Sequence, residues 1–212
     1  MTQLIDFTLN IDKHIINIVN TFGDWTYLIL FLVILVETGA VILPFLPGDS
    51  LLFAAAALSA NASYSLNIWI FIIIFLIASI TGDSVNFLIG KKVGSRLLEA
   101  KWVQRIIKPE HIEKTNQFFN KHGAAAIFLA RFMPIIRTLI PFVAATGKMS
   151  YKQFFTHNVP ACFTWVFICC GAGFFFGNIP FIQAHFSAVI IGIILVSLIP
   201  AIVGLIREKI NN

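Results

Sequence analysis

Five ionisable side chains sit inside stretches that are otherwise apolar: Glu37, Asp49, Asp83, Arg131 and Arg137. At the lipid-facing centre of a helix, each such charge costs ~2.5–3.5 kcal/mol or more. Groups of this kind persist where they face one another or a wet cavity. Arginine's planar fork suits a phosphate or a carboxylate. A carboxylate withdrawn from water favours its protonated form, so acids in a closing cavity can take up and release protons. The pattern reads as a midplane site in which Arg131 and Arg137 hold an anionic headgroup, while Glu37 and Asp49 couple its movement to protons or gate it. Asp83 either polarises the same cavity or serves as a local cap after Gly82. The competing reading is structural, with the charges pairing only to hold segments together. Buried pairs are poor sources of stability compared with hydrophobic replacements, which weighs against it.

The elements that must carry these residues follow from composition. The chain has 212 residues, of which 58% are hydrophobic and 12% charged; its mean hydropathy is +0.87. Soluble domains average roughly 45–50% apolar and ~25% charged. A water-soluble globular protein is excluded, and the length leaves no room for a soluble enzyme domain beside a membrane domain. The net charge of +5 is better read as topology signal and lipid anchoring than as a nucleic-acid surface. Cys162, Cys169 and Cys170 share one apolar stretch without ligand spacing. They read as small buried hydrophobes rather than disulfides or metal ligands, and no metal or cofactor site is read.

Residues 1–24 lack the features of a signal peptide and carry a helical apolar stripe, which predicts an amphipathic helix at the interface. The membrane domain is read as residues 25–206. Its first apolar segment, 25–60, is broken by Pro44, Pro47 and Gly48. It falls short of the ~40 residues that two full spans need, so a re-entrant hairpin fits better. Residues 67–89 read as a full span. Between Lys91 and Lys121 lie eight of the fifteen basic residues, on an interfacial stretch in which Pro109 opens a short helix. Residues 123–147 are interrupted by Arg131, Pro134, Arg137 and Pro141 and read as a second re-entrant hairpin. Two further spans, 158–177 and 186–206, precede a cytoplasmic tail, 207–212. The expected fold is therefore all-α and polytopic, with about three full spans, two hairpins and interfacial helices. The positive-inside rule puts the basic segment in the cytoplasm, so the hairpins enter from opposite faces. They resemble a weak inverted repeat, a transporter device. His122, His157 and Asn158 read as interface or capping residues. Trp25, Trp69, Trp102 and Trp165 read as interface or packing aromatics.

Three ordered motifs carry a resemblance: Glu37 followed by Pro44-Phe45-Leu46-Pro47-Gly48-Asp49; Gly82-Asp83 leading to Gly90-Lys91-Lys92-Val93-Gly94; and Phe119-Asn120-Lys121-His122-Gly123 leading to Arg131-Phe132-Met133-Pro134-Ile135-Ile136-Arg137. Over roughly residues 20 to 205 the chain resembles the DedA family of bacterial inner-membrane proteins, within the SNARE-associated (VTT-domain) superfamily. Asp49 stands where many relatives have Glu, and Asn86-Phe87 where a Tyr is common. The resemblance implies opposed re-entrant hairpins and lipid handling. Members are associated with undecaprenyl-phosphate translocation, membrane-potential maintenance and envelope stress resistance, and eukaryotic relatives scramble phospholipids. The family's functional acids map onto Glu37 and Asp49, and its arginines onto Arg131 and Arg137. The expectation is a flippase of the bacterial cytoplasmic membrane for an anionic polyprenyl-phosphate lipid, with protons or a monovalent cation as coupling partner. Membrane lipids are its surroundings, nucleic acid is not a partner, and self-association stays open. The alternatives are a cation/proton antiporter and an uncoupled scramblase. A lipid phosphatase is disfavoured, because no Arg is followed by Pro and no Gly by His.

Overall fold

The computed structural model describes residues 11–40, 48–61, 64–94, 109–147, 149–177, 179 and 192, and among them there is no strand. Helix α1, Ile11–Phe22, is followed by Gly23, whose positive φ of 51° turns the chain into α2, Trp25–Gly39. Every third or fourth residue of α2 is buried, from Thr26 through Leu30 and Ile34 to Glu37. α3, Gly48–Ser59, is buried along nearly its whole length, Leu51 to Leu58 included. These helices have 15 and 12 residues. At 1.5 Å per residue, neither crosses a hydrocarbon core of ~30 Å.

α4, Ile68–Val93, is 26 residues long and apolar enough to cross a membrane. Asn67 caps it by accepting the Trp69 N–H at 2.9 Å, and the exposed Lys91 and Lys92 close it. α5, Pro109–His122, begins at the predicted proline and is largely polar. The second interrupted segment gives α6, Ala125–Ala130, and α7, Pro134–Thr146, with Arg131, Phe132 and Met133 between them. α8, Tyr151–Gly177, is the second helix long and apolar enough to span.

The predicted start of that last helix is corrected. It begins at Tyr151 rather than Asn158 and runs on through Pro160. The apolar run marks the part suited to lipid, whereas the helix extends two turns into polar sequence. His157 and Asn158 are thus helix-interior residues, not caps. Residues 1–10, Pro44, Pro47, 95–108 and the tail 207–212 lie outside the described residues, as does the expected 186–206 span apart from Gly192.

α4 is the spine of the bundle. At its crossing with α2, a methyl group on Gly82 would collide with Thr38 Oγ1. α8 meets α3 as closely, since a methyl group on Gly173 would strike the Phe53 carbonyl. Small residues let backbones approach where lipid offers no hydrophobic gain from association. Leu30, Ile34, Leu52, Phe71, Phe75 and Val166 fill the core between α2, α3, α4 and α8. Phe118 and Phe119 of α5 pack on Ala126, Ala130 and Ile140 of the second broken segment.

Candidate functional site

The five charges predicted from sequence converge where the breaks meet α4 and α8. Glu37 lies in the last turn of α2, and Asp49 in the first turn of α3. Arg137 follows Pro134 in the first turn of α7. A cation at a helix N-terminus and an anion at a C-terminus both oppose the helix macrodipole, so Arg137 and Glu37 are not placed for helix stability. They meet each other instead. Arg137 Nη2 donates to Glu37 Oε1, and Nη1 donates to Asp49 Oδ1 at 2.6 Å. One guanidinium thereby fastens both arms of the first broken segment to the second.

Arg131 has a different partner from the two acids of the first broken segment. It sits in the break between α6 and α7, is 6% exposed, and donates through Nη1 to Asp83 Oδ2. Asp83 is neither a cap nor a turn residue: it lies inside α4 and is 3% exposed. Cys162 Sγ approaches the same oxygen at 3.6 Å, so this cysteine is more than a small hydrophobe. Cys170 is simply buried, and Cys169 is half-buried.

Sequence reasoning missed three residues. Trp165, assigned to packing, donates its indole N–H to Asp49 Oδ1 at 2.7 Å. Its ring lies under both guanidiniums, with Cζ of Arg131 at 4.8 Å and Cζ of Arg137 at 5.4 Å from the ring centre. The available signal was a tryptophan in the middle of a span, where its N–H requires a buried acceptor. Asn86 on α4 donates to the carbonyls of Thr38, at 3.3 Å, and Thr138, at 2.8 Å. Asn158, buried on α8, is the third.

A small cavity lies among Glu37, Asp83, Arg131, Arg137 and Trp165. Its volume is about 10 Å³, of the order one water requires. A second pocket, sharing Asp83 and both arginines, is lined by Ile127, Ile140, Pro141 and Asn158. Pro141 thus lies inside α7 and closes this pocket rather than breaking the helix. Gly48 lies against Glu37, whose carboxylate occupies the space a methyl group would take. Among the described residues, the buried atoms Glu37 Oε2, Asn86 Oδ1, Arg131 Nε and Nη2, and Asn158 Nδ2 have no hydrogen-bond partner. Such a set of charges, planar donors and one unpartnered carboxylate oxygen can hold an oxyanion and exchange a proton.

Comparison with known proteins places the chain in a family. The VTT domain model matches residues 46–175. The chain is 46% identical to protein DedA of Escherichia coli K12 over 206 residues, covering 97% of this chain and 94% of that protein. It is 35% identical over 172 residues to an uncharacterized membrane protein of Mycobacterium leprae, covering 81% and 76% of the two chains. It is also 28% identical over 180 residues to the inner membrane protein YghB of Escherichia coli K12, covering 85% and 78%. No solved structure gives a significant match. With a family model over more than half its length and this identity across almost all of it, the chain belongs to the DedA family of VTT-domain proteins and is a helical protein of the inner membrane.

Proposed function

We propose that the protein is a flippase that moves undecaprenyl phosphate, or a similar anionic polyprenyl phosphate, across the cytoplasmic membrane, with protons as coupling ion. The observation that carries this reading is the Arg137 clasp, in which two carboxylates from separate helices occupy one largely buried guanidinium, 12% exposed. A phosphate offers the same planar donors the same kind of oxygens. The headgroup replaces the carboxylates on Arg137, and the isoprenoid tail stays in lipid. Only the polar head then needs a protein path.

Charge counting supports the coupling. Glu37, Asp49 and Asp83 face Arg131 and Arg137, so the fully ionised cluster has one carboxylate in excess. Adding a phosphate makes the imbalance worse, and protons on the displaced acids offset it. Glu37, with Oε2 unpartnered, is the acid best placed to take one. With room for about one water, the cluster corresponds to a closed state, and the clasp opens when a headgroup enters. In this reading, the two broken segments are opposed re-entrant hairpins that bring the site toward the midplane.

The test is flipping of a short fluorescent polyprenyl phosphate in proteoliposomes, with and without a pH gradient. Wild type is expected to flip it faster under the gradient, and Arg137→Ala to lose flipping. Gradient-independent flipping would make the protein an uncoupled scramblase. The excess carboxylate favours one competing reading, a monovalent cation/proton antiporter. Cation flux without lipid flipping by folded wild type would overturn the flippase in its favour.

A further inference from the structure

We infer that Asn158 and the unused edge of Arg131 form a second station for a phosphomonoester oxyanion, separate from the Arg137 clasp; this rests on the translocation reading above. Arg131 uses only Nη1, on Asp83. Its Nε and Nη2, the parallel pair on one side of the guanidinium, have no acceptor. Asn158 is 2% exposed, and its Nδ2 also lacks one. Both side chains line the same pocket, which Ile127, Ile140 and Pro141 close so tightly that it has no room for a water, so the oxyanion enters it only as the Arg137 clasp opens. Buried donors without acceptors are rare and destabilising. Here the three unmet groups are all donors, and two of them form the fork that matches a pair of phosphate oxygens.

The position along α8 gives the station a place in a sequence of steps. Asn158 and Trp165 are seven residues apart, about two turns or ~10 Å on one helix face. Trp165 stands at the clasp. Asn158 is nearer Tyr151, where α8 begins beside α4, with the Tyr151 hydroxyl 3.1 Å from Ser84 Oγ. The exposed Lys91, Lys92 and Lys152 are at that end. Arg131, Arg137 and Asp83 line both cavities, so the oxyanion passes from the clasp to the station without leaving guanidinium contact.

The experiment compares Asn158→Thr with Asn158→Val, which match in shape and differ in one hydroxyl donor. Binding of farnesyl phosphate, farnesol and inorganic phosphate to detergent-solubilised full-length protein is measured by calorimetry, with melting temperature as folding control. Asn158→Thr is expected to hold farnesyl phosphate within about threefold of wild type and Asn158→Val to weaken it by about tenfold, with farnesol binding equal in both. The same dependence for inorganic phosphate alone supports the station with the free ion as occupant. Equal farnesyl phosphate binding by the two variants overturns it, as does a folded wild type that binds neither phosphate compound. Because binding is read without transport, a wild type that binds through Asn158 but does not flip lipid sinks the flippase reading and leaves the station standing. The reverse result removes the station alone.

Discussion

Arg137 and Arg131 lie against the same indole ring, yet they are held in opposite ways. Arg137 gives one N–H to each of two carboxylates contributed by α2 and α3. Arg131 gives a single N–H to Asp83 and keeps its Nε–Nη2 edge unpaired. Arg137 therefore ties the two broken segments together, whereas Arg131 keeps a free donor edge, the receptor that the proposed anion completes once the closed pocket widens. Glu37 closes α2 and Arg137 opens α7, ends that suit those charges poorly, while Asp49 at the start of α3 is favourably placed, so the latch is held mainly by its partners and yields when they are exchanged.

The contrast can be broken first at the latch. Arg137→Leu leaves Glu37 and Asp49 buried without their cation and is expected to lower stability by ~3–5 kcal/mol in chemical denaturation. Adding Glu37→Gln and Asp49→Asn should restore most of that loss without restoring flipping. A single Arg137→Leu as stable as wild type would mean that no latch exists. At the receptor, Asp83→Asn keeps a neutral acceptor, so the expected stability loss is smaller, ~2 kcal/mol. It also removes a competing carboxylate, so farnesyl phosphate should bind more tightly; weaker binding would contradict the receptor role. Trp165→Phe keeps the ring under both cations but removes the Asp49 bond, for ~1.5 kcal/mol. Its distinguishing sign is a weakened response of flipping to the pH gradient, with gradient-free flipping retained. Gly48→Ala forces the Glu37 carboxylate aside, and overpacking of this kind costs ~1 kcal/mol. Here the latch should loosen while Arg131-dependent binding is unchanged, which a melting curve and a binding isotherm read side by side.

The charges that build both sites were legible in the sequence because ionised groups in apolar runs demand partners. The broken segments were legible too, through Pro134 at the start of α7 and the Gly48-Asp49 pair that opens α3. The assignment of partners was not. Glu37, Asp49 and Asp83 are equally acceptable mates for either arginine in a one-dimensional string, and only the α2–α4 crossing at Gly82 and the lie of α7 separate them. Trp165 and Asn158 escaped for a related reason. A span whose apolar residues cover its whole circumference has no polar face to mark which side looks inward. Asn158 was further obscured because the apolar run and the helix begin two turns apart.

Asn86 has a mechanical consequence. Its single amide nitrogen reaches the backbone of α2 at Thr38 and of α7 at Thr138. Carbonyl oxygens stay in place whatever the neighbouring side chains do, so this tie senses the separation of the two helices and nothing of their chemistry. If the halves rock about α4, the amide behaves as an axle pin, able to follow a tilt of either helix. If they part, one end must come loose in a medium that offers no water in exchange. Rotation is thereby made cheaper than separation, and a carrier that pivots without parting can change its exposed side while staying sealed.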